Sequence, residues 1–134
     1  MTHSVSAWLQ HKIDDYHHLL RDMTIDFWLA QTRLNRADCT LANLRTFNDA
    51  CLAMAETCQR NGDDQSYLHA LGQLCHRLVQ EMGNGERERL FRIQAYQLAR
   101  PSLARLCQQL TLAGEWEKAE TLQRDFIRHA GWIF

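Results

Sequence analysis

Four of the seven histidines lie within the first eighteen residues of the sequence: His3, His11, His17 and His18. On a helix, His11, Asp14 and His18 follow one another at i, i+3 and i+7, close to one face. Two imidazoles and one carboxylate at that spacing could hold a first-row metal ion. A site in a helical bundle normally draws further ligands from a facing helix, as Glu-x-x-His pairs do, and the sequence contains no such pair. The favoured interpretation is therefore a polar helix face without a metal or any other cofactor.

A cysteine and two histidines form a second cluster with chemical potential. Cys75 is adjacent to His76 and close to His69, and a thiolate beside an imidazole can act as a nucleophile. Adjacent residues on a helix, however, point about 100° apart. Cys75 also shares an apolar stripe with several leucines, which predicts a buried, inert thiol. Because no phosphate-binding loop, serine elbow or paired-cysteine zinc motif is present either, we expect no catalytic residue and no enzyme activity.

The only locally basic region is formed by five arginines: Arg87, Arg89, Arg92, Arg100 and Arg105. Arg89, Arg92 and Arg100 could line one side of a helix and contact phosphates or an acidic partner. An alternative function is therefore a transcription-related regulator that binds nucleic acid or the transcription machinery through Arg87, Arg89, Arg92 and Arg100. Interleaved glutamates and a net charge of −1 argue against nucleic acid as the partner.

The composition predicts one all-α domain over residues 1–134. The chain has 46% apolar and 23% charged residues, one proline and six glycines, which favours long helices over many short strands. The sequence contains no stretch of eighteen apolar residues, so we expect no segment that spans a membrane. The charged N-terminal segment does not resemble a signal peptide, and five cysteines without a CxxC pair fit a reducing compartment, so we expect a cytoplasmic protein.

A heptad pattern marks the first helix, predicted from about Ser6 to Asn35. Its members, here called the heptad face, are spaced alternately by four and three residues: Leu9, Ile13, Tyr16, Leu20, Met23, Phe27, Ala30 and Leu34. Thr24 could instead cap a second helix, so the pattern leaves open a break between Asp22 and Thr24. A helix this long can expose more apolar surface than one chain covers, and this predicts a homo-oligomer that forms through the heptad face.

Punctuating residues divide the remaining chain into further helices. Thr40 is the predicted N-cap of the second, which ends at Asn61-Gly62, and Asp63 or Asp64 caps the third, which ends at Gly83. Further helices are predicted over 86–99, from Pro101 to about 113, and over 116–129. The sequence thus predicts about six helices, arranged as an N-terminal hairpin (6–61) and an antiparallel helical-hairpin stack (63–134).

An internal repeat with a period of 32 residues lies within this stack. Leu71, Leu74, Cys75 and Leu78 have the spacing of Leu103, Leu106, Cys107 and Leu110. Together with Gly114, Trp116 and Ala119, the second set resembles a tetratricopeptide repeat over residues 103–126. A looser copy runs from Cys51 through Met54, Ala55, Cys58 and Gly62 and departs from the pattern at Tyr67. The alternative is an unrelated helical bundle, because any tight helix hairpin needs small residues where its helices approach.

The resemblance implies a protein that holds a peptide or helix in a concave groove, as the small repeat-containing chaperones of type III secretion systems do. The residues expected to bind the partner are large aromatic anchors: Trp116, Trp132, Phe134, Trp8 and Trp28. The apolar C-terminal tail either closes the domain's own core or inserts into a partner. The favoured function is a small adaptor or chaperone that binds another protein, with a helical metal-binding protein as a further alternative.

Overall fold

The computed structural model describes residues 2–134, with side chains described from Ser4 onward, so that His3 lies outside the described side chains. Within this range the chain is all-helical and contains no strand. The five helices are α1 (Thr2–Leu34), α2 (Leu41–Arg60), α3 (Asp64–Met82), α4 (Arg89–Leu112) and α5 (Trp116–Gly131). None of the described helices combines the length and the apolar character needed to cross a bilayer.

The first helix is continuous through the position where a break had been left open. The Thr24 hydroxyl donates to the Leu20 carbonyl at 2.8 Å, so Thr24 serves as an ordinary helix-interior residue instead of an N-cap. Among the described helices, α1 packs substantially on α2 alone. Its final turns are covered, with Phe27, Ala30 and Leu34 buried, whereas its first turns have no neighbouring helix.

The predicted caps of α2 and α3 are confirmed. The Thr40 side chain accepts a hydrogen bond from the Asn43 N–H at 3.2 Å, and the Asn43 side chain accepts one from the Thr40 N–H at 2.9 Å, which completes a capping box. Gly62 has a φ of 70°, a conformation that glycine adopts without steric cost. Of the two candidate aspartates, Asp63 is the N-cap of α3.

The prediction of two helices around Pro101 was wrong, because a single helix, α4, runs through this proline. A proline inside a helix lacks the N–H that would bond the carbonyl four residues earlier, here that of Gln97. Pro101 itself is exposed, while Ala99 and Leu103 on either side of it are buried. Burial of the flanking turns therefore outweighs the loss of one hydrogen bond, and the described residues hold five helices where about six were expected.

Consecutive helices pack against one another, and α2 also contacts α4 while α3 contacts α5. The core between them consists mainly of leucines, alanines and cysteines, with Phe27, Phe47, Tyr67 and Phe91 as its buried aromatic members. The chain direction alternates from helix to helix. The turns at 61–63 and 113–115 therefore lie at the end from which α1 projects, and the 35–40 and 83–88 connections lie with the C-terminus at the other end.

Candidate functional site

The four tryptophans are exposed but do not form one surface. Trp8 and Trp28 lie twenty residues apart on α1, Trp116 begins α5, and Trp132 follows its last turn. Each has more than half of its surface exposed, from 57% for Trp132 to 66% for Trp116. The residues expected to bind a partner are therefore spread over both ends of the molecule.

The C-terminal tail docks on its own domain through one buried residue. Ile133 is 8% exposed and belongs to the core. Phe134 contacts Tyr96 edge-on with ring centroids 5.1 Å apart, and Tyr96 in turn stacks on Phe126 at 5.4 Å. Trp132 packs against His129 at 4.7 Å. The tail thus closes one end of the helical stack, although Trp132 and Phe134 keep most of their surface exposed.

Two of the three arginines expected to contact an anion, Arg92 and Arg100, make contacts within the chain. Arg92 donates from Nε to the Met82 carbonyl at 2.8 Å and from a terminal nitrogen to the Trp132 carbonyl at 3.3 Å, so it joins the ends of α3 and α5. Arg100 is exposed, with its guanidinium 5.8 Å from the Tyr96 ring, and Arg89 is exposed on the first turn of α4. The three arginines do not converge on one site.

Arg87, the fourth arginine of the alternative function, forms an internal ion pair with Glu81. Its Nε lies 2.9 Å from one oxygen of the buried Glu81 carboxylate, while Arg77 Nε lies 3.0 Å from the other. Arg87 also donates to the carbonyl of Leu34, the last residue of α1, at 2.8 Å and to that of Arg36 in the α1–α2 connection at 3.0 Å. The arrangement fixes three segments at this end, and it leaves Arg87 few donors for a ligand.

The sequence reasoning missed this buried carboxylate, although a signal for it was present. Glu81 lies seven residues after Leu74 and three after Leu78, and therefore on the apolar stripe of α3. A charged residue at such a position is rarely fully buried unless it is paired. Glu81 is 3% exposed. Its position on the stripe could have predicted an internal ion pair, but could not have identified Arg77 and Arg87 as its partners.

The candidate metal ligands point into solvent along α1. His11 lies 3.5 Å from Asp15, and Asp14 accepts a hydrogen bond from Gln10 at 3.0 Å. His18 is exposed. The side chains described for this protein form no group of three or more potential ligands. These residues give no geometry from which metal chemistry could be argued.

The Cys75 thiol is buried, as its position on the apolar stripe predicted. It is 1% exposed, whereas His76 and His69 are exposed. Burial raises the pKa of Cys75 to about 12, which keeps the thiol protonated and unreactive at neutral pH. The cysteine and the imidazoles therefore do not form a nucleophilic pair.

A groove with a largely apolar lining lies between α3 and α5, with α4 as its floor. Its cavity volume is about 520 Å³. Four leucines line it, Leu68 from α3, Leu106 and Leu110 from α4, and Leu122 from α5, while Glu117, Lys118 and Thr121 form the exposed rim. We call this surface the α3–α5 groove. An apolar lining with charges at its edge is typical of a surface that binds the apolar side of a partner.

Gly72 keeps this groove open. It lies in the interior of α3, where glycine is less favourable than alanine by about 0.5–1 kcal/mol. A Cβ atom at this position would meet no other atom within 4 Å, so close packing inside the chain does not require the glycine. The space that a side chain would fill belongs instead to the groove, which Gly72 helps to line.

Comparison of the chain with protein-family models, with curated proteins and with solved structures gives no match. The function is therefore inferred from the groove and the other surfaces of the molecule itself.

Proposed function

We propose that this protein is a binding module that holds an amphipathic helix of another protein in the α3–α5 groove, and so acts as an adaptor or chaperone. The observation that carries the proposal is the open, leucine-lined groove with Gly72 on its wall. A helix laid into such a groove would insert apolar side chains spaced by three, four and seven residues. Glu117 and Lys118 on the rim would select partners with charges beside the apolar stripe.

The arrangement of the helices supports a concave binding surface of the tetratricopeptide kind. In addition to packing between consecutive helices, α3 contacts α5 and α2 contacts α4, as expected where hairpins stack side by side. The groove lies between α3 and α5, the second helices of two successive hairpins in that arrangement. The resemblance of residues 103–126 to a tetratricopeptide repeat belongs to this proposal. So does the likeness to secretion chaperones that this resemblance implies.

Trp116 is the aromatic anchor best placed to assist. It begins α5, directly before the rim residues Glu117 and Lys118, and is 66% exposed. Large aromatic residues beside an apolar groove often dominate the energy of binding. Trp132 and Phe134 lie at the opposite end of α5 and are not part of this surface.

The proposal is tested by filling the groove with the Gly72→Leu substitution. The new side chain enters open space, so the fold is expected to persist and partner binding to fall at least about tenfold, the loss that follows when an anchoring side chain is excluded. The matched control is Ala53→Leu, which adds a leucine to an exposed position on the separate groove between α1 and α2. Both variants and the wild-type protein are used as baits in nuclease-treated native lysate, and bound proteins are quantified by mass spectrometry.

A partner that is retained by the wild-type protein and by Ala53→Leu, but lost with Gly72→Leu, would support binding in the α3–α5 groove. Equal capture by all three baits would show that the partner binds elsewhere. Circular dichroism and thermal unfolding of each variant separate a blocked groove from a damaged fold.

A further inference from the structure

The heptad face of α1 continues beyond the part that the chain itself covers. Towards the C-terminus of the helix, Phe27, Ala30 and Leu34 are buried against α2. Leu9 and Ile13 belong to the same face but are 49% and 47% exposed. The exposed apolar surface is therefore a direct extension of an existing helix–helix interface.

Tyr16 marks the point where this internal cover ends. Its hydroxyl donates to the carboxylate of Asp63 at 2.7 Å, and Asp63 lies in the α2–α3 turn as the N-cap of α3. Residues 2–15 project past that turn, and we call this segment the arm. At 1.5 Å per residue, its fourteen residues extend about 21 Å.

We propose that the arm pairs with the arm of a second copy of this chain, in antiparallel orientation. A parallel pairing through the heptad face is blocked, because α2 of each copy already occupies that face from Tyr16 to Leu34. An antiparallel pairing places the two helical stacks at opposite ends, so only the uncovered segments meet. A two-fold axis near Leu9 would then bring Val5 of each copy opposite Ile13 of the other, and each copy would cover its partner's exposed surface.

The charges of the arm fit this orientation. The first turn of α1 carries no acidic side chain, although a helix N-terminus is favourably placed near negative charge. Full overlap of the two arms places Asp14 and Asp15 of one copy beside the first turn of the other. In a parallel pairing, by contrast, the first turns of the two copies would lie side by side, with no acidic side chain in either of them.

The oligomeric state of the full chain tests the inference. Two helical segments of this length bury an area at or below the low end of the range for stable interfaces, so we expect a dimer that dissociates at roughly micromolar concentrations. Leu9→Glu places a charge in the pairing face and is expected to weaken dimerisation more than about tenfold. Ile25→Glu is the matched control, because Ile25 is 53% exposed on the opposite face of α1. Sedimentation equilibrium measures the dimer dissociation constant of the wild-type protein and of both variants.

A wild-type protein that remains monomeric at roughly 100 µM, well above the expected dissociation constant, would overturn the inference. The same conclusion would follow if both glutamate variants dimerised as well as the wild type. The exposed part of the heptad face would in that case bind a different protein.

The antiparallel orientation is tested by the distance between nitroxide labels at His18, introduced as His18→Cys in a Cys39→Ser background. Antiparallel arms separate the two labels by roughly 30 Å along the helix axis, whereas parallel helices would bring them much closer. A short distance measured by pulsed electron resonance would contradict the antiparallel pairing.

Discussion

Among the described residues, Glu81 is the one charged residue that is buried in the fold. A carboxylate removed from water is stabilised only where opposite charges and hydrogen bonds replace the lost hydration. Arg77 and Arg87 approach its two oxygens from different sides, at 3.0 and 2.9 Å. Since Arg87 also bonds carbonyls at the end of α1 and in the α1–α2 connection, the buried charge links α3 to two separate connecting segments.

Substitution of Arg87 by alanine is expected to destabilise the fold by about 3 kcal/mol, because the buried Glu81 carboxylate then keeps only one of its two arginine partners, Arg77. Arg89→Ala is the control, since Arg89 is exposed, and it should change stability by less than about 0.5 kcal/mol. Urea unfolding followed by circular dichroism measures both. Similar stabilities for the two variants would show that the pair at Glu81 contributes little.

At the residue scale, the sequence predicted burial better than it predicted partners. The apolar stripe of α3 located Cys75 in the core, because burial follows from helical periodicity alone. The internal roles of Arg87 and Arg92 could not be predicted in the same way. Their acceptors lie on segments distant in sequence, and only the folded chain brings these groups together.

At the scale of helices, hydrogen bonds to the Asp63 side chain join α1 to the start of α3. The Asp63 carboxylate accepts one hydrogen bond from the Tyr16 hydroxyl and another from the Ser66 N–H at 3.3 Å. These hydrogen bonds hold the pKa of Asp63 below its usual value of 3.8, and the bond from Tyr16 has the largest effect, ahead of those from Ser66. One carboxylate therefore both caps α3 and fixes the base of the projecting arm.

This junction predicts a specific pH dependence of stability. Because the pKa of Asp63 is lower in the folded state than in the unfolded state, its contribution is present above about pH 4 and is lost as the pH falls through the folded-state pKa. Asp63→Asn should therefore unfold at a lower temperature than the wild type near neutral pH, with a difference that shrinks below about pH 4. Thermal unfolding measured from about pH 7 to pH 2.5 checks this, and a difference independent of pH would contradict it.

Helix ends with a local chemical signal were predictable, and those decided by packing were not. Thr40 and Asp63 cap their helices through side chains a few residues from the N–H groups that they bind, so the sequence contains the whole signal. Pro101 gives an equally strong local signal for a helix start, yet α4 runs through it. The buried turns on both sides of Pro101 decide that outcome, and their burial depends on α3 and α5.

At the scale of the whole molecule, two apolar surfaces lie towards the same end. The arm projects past the turn at 61–63, and the α3–α5 groove begins near Leu68, in the second turn of α3. The sequence identified the apolar pattern of α1 and the leucines of α4. It could not identify the groove, because the opening arises only where α3, α4 and α5 meet.

The two proposals would reinforce each other. Paired arms would join two grooves in one assembly, and a partner with two copies of its helix would then bind with higher avidity than either groove provides alone. The Leu9→Glu variant should reduce that gain without changing the affinity of a single groove. The comparison of a monovalent with a bivalent form of the same partner peptide distinguishes the two effects.

Site-specific photocrosslinking tests most directly whether the α3–α5 groove holds a partner protein. Benzoylphenylalanine is introduced at Thr121 on the groove rim or, as the matched control, at Thr32 on α1. Both threonines are exposed and donate to the carbonyl four residues earlier. We expect irradiation to crosslink one partner from Thr121 and none from Thr32. Absence of a crosslink from Thr121, or equal crosslinking from both positions, would contradict binding in the groove.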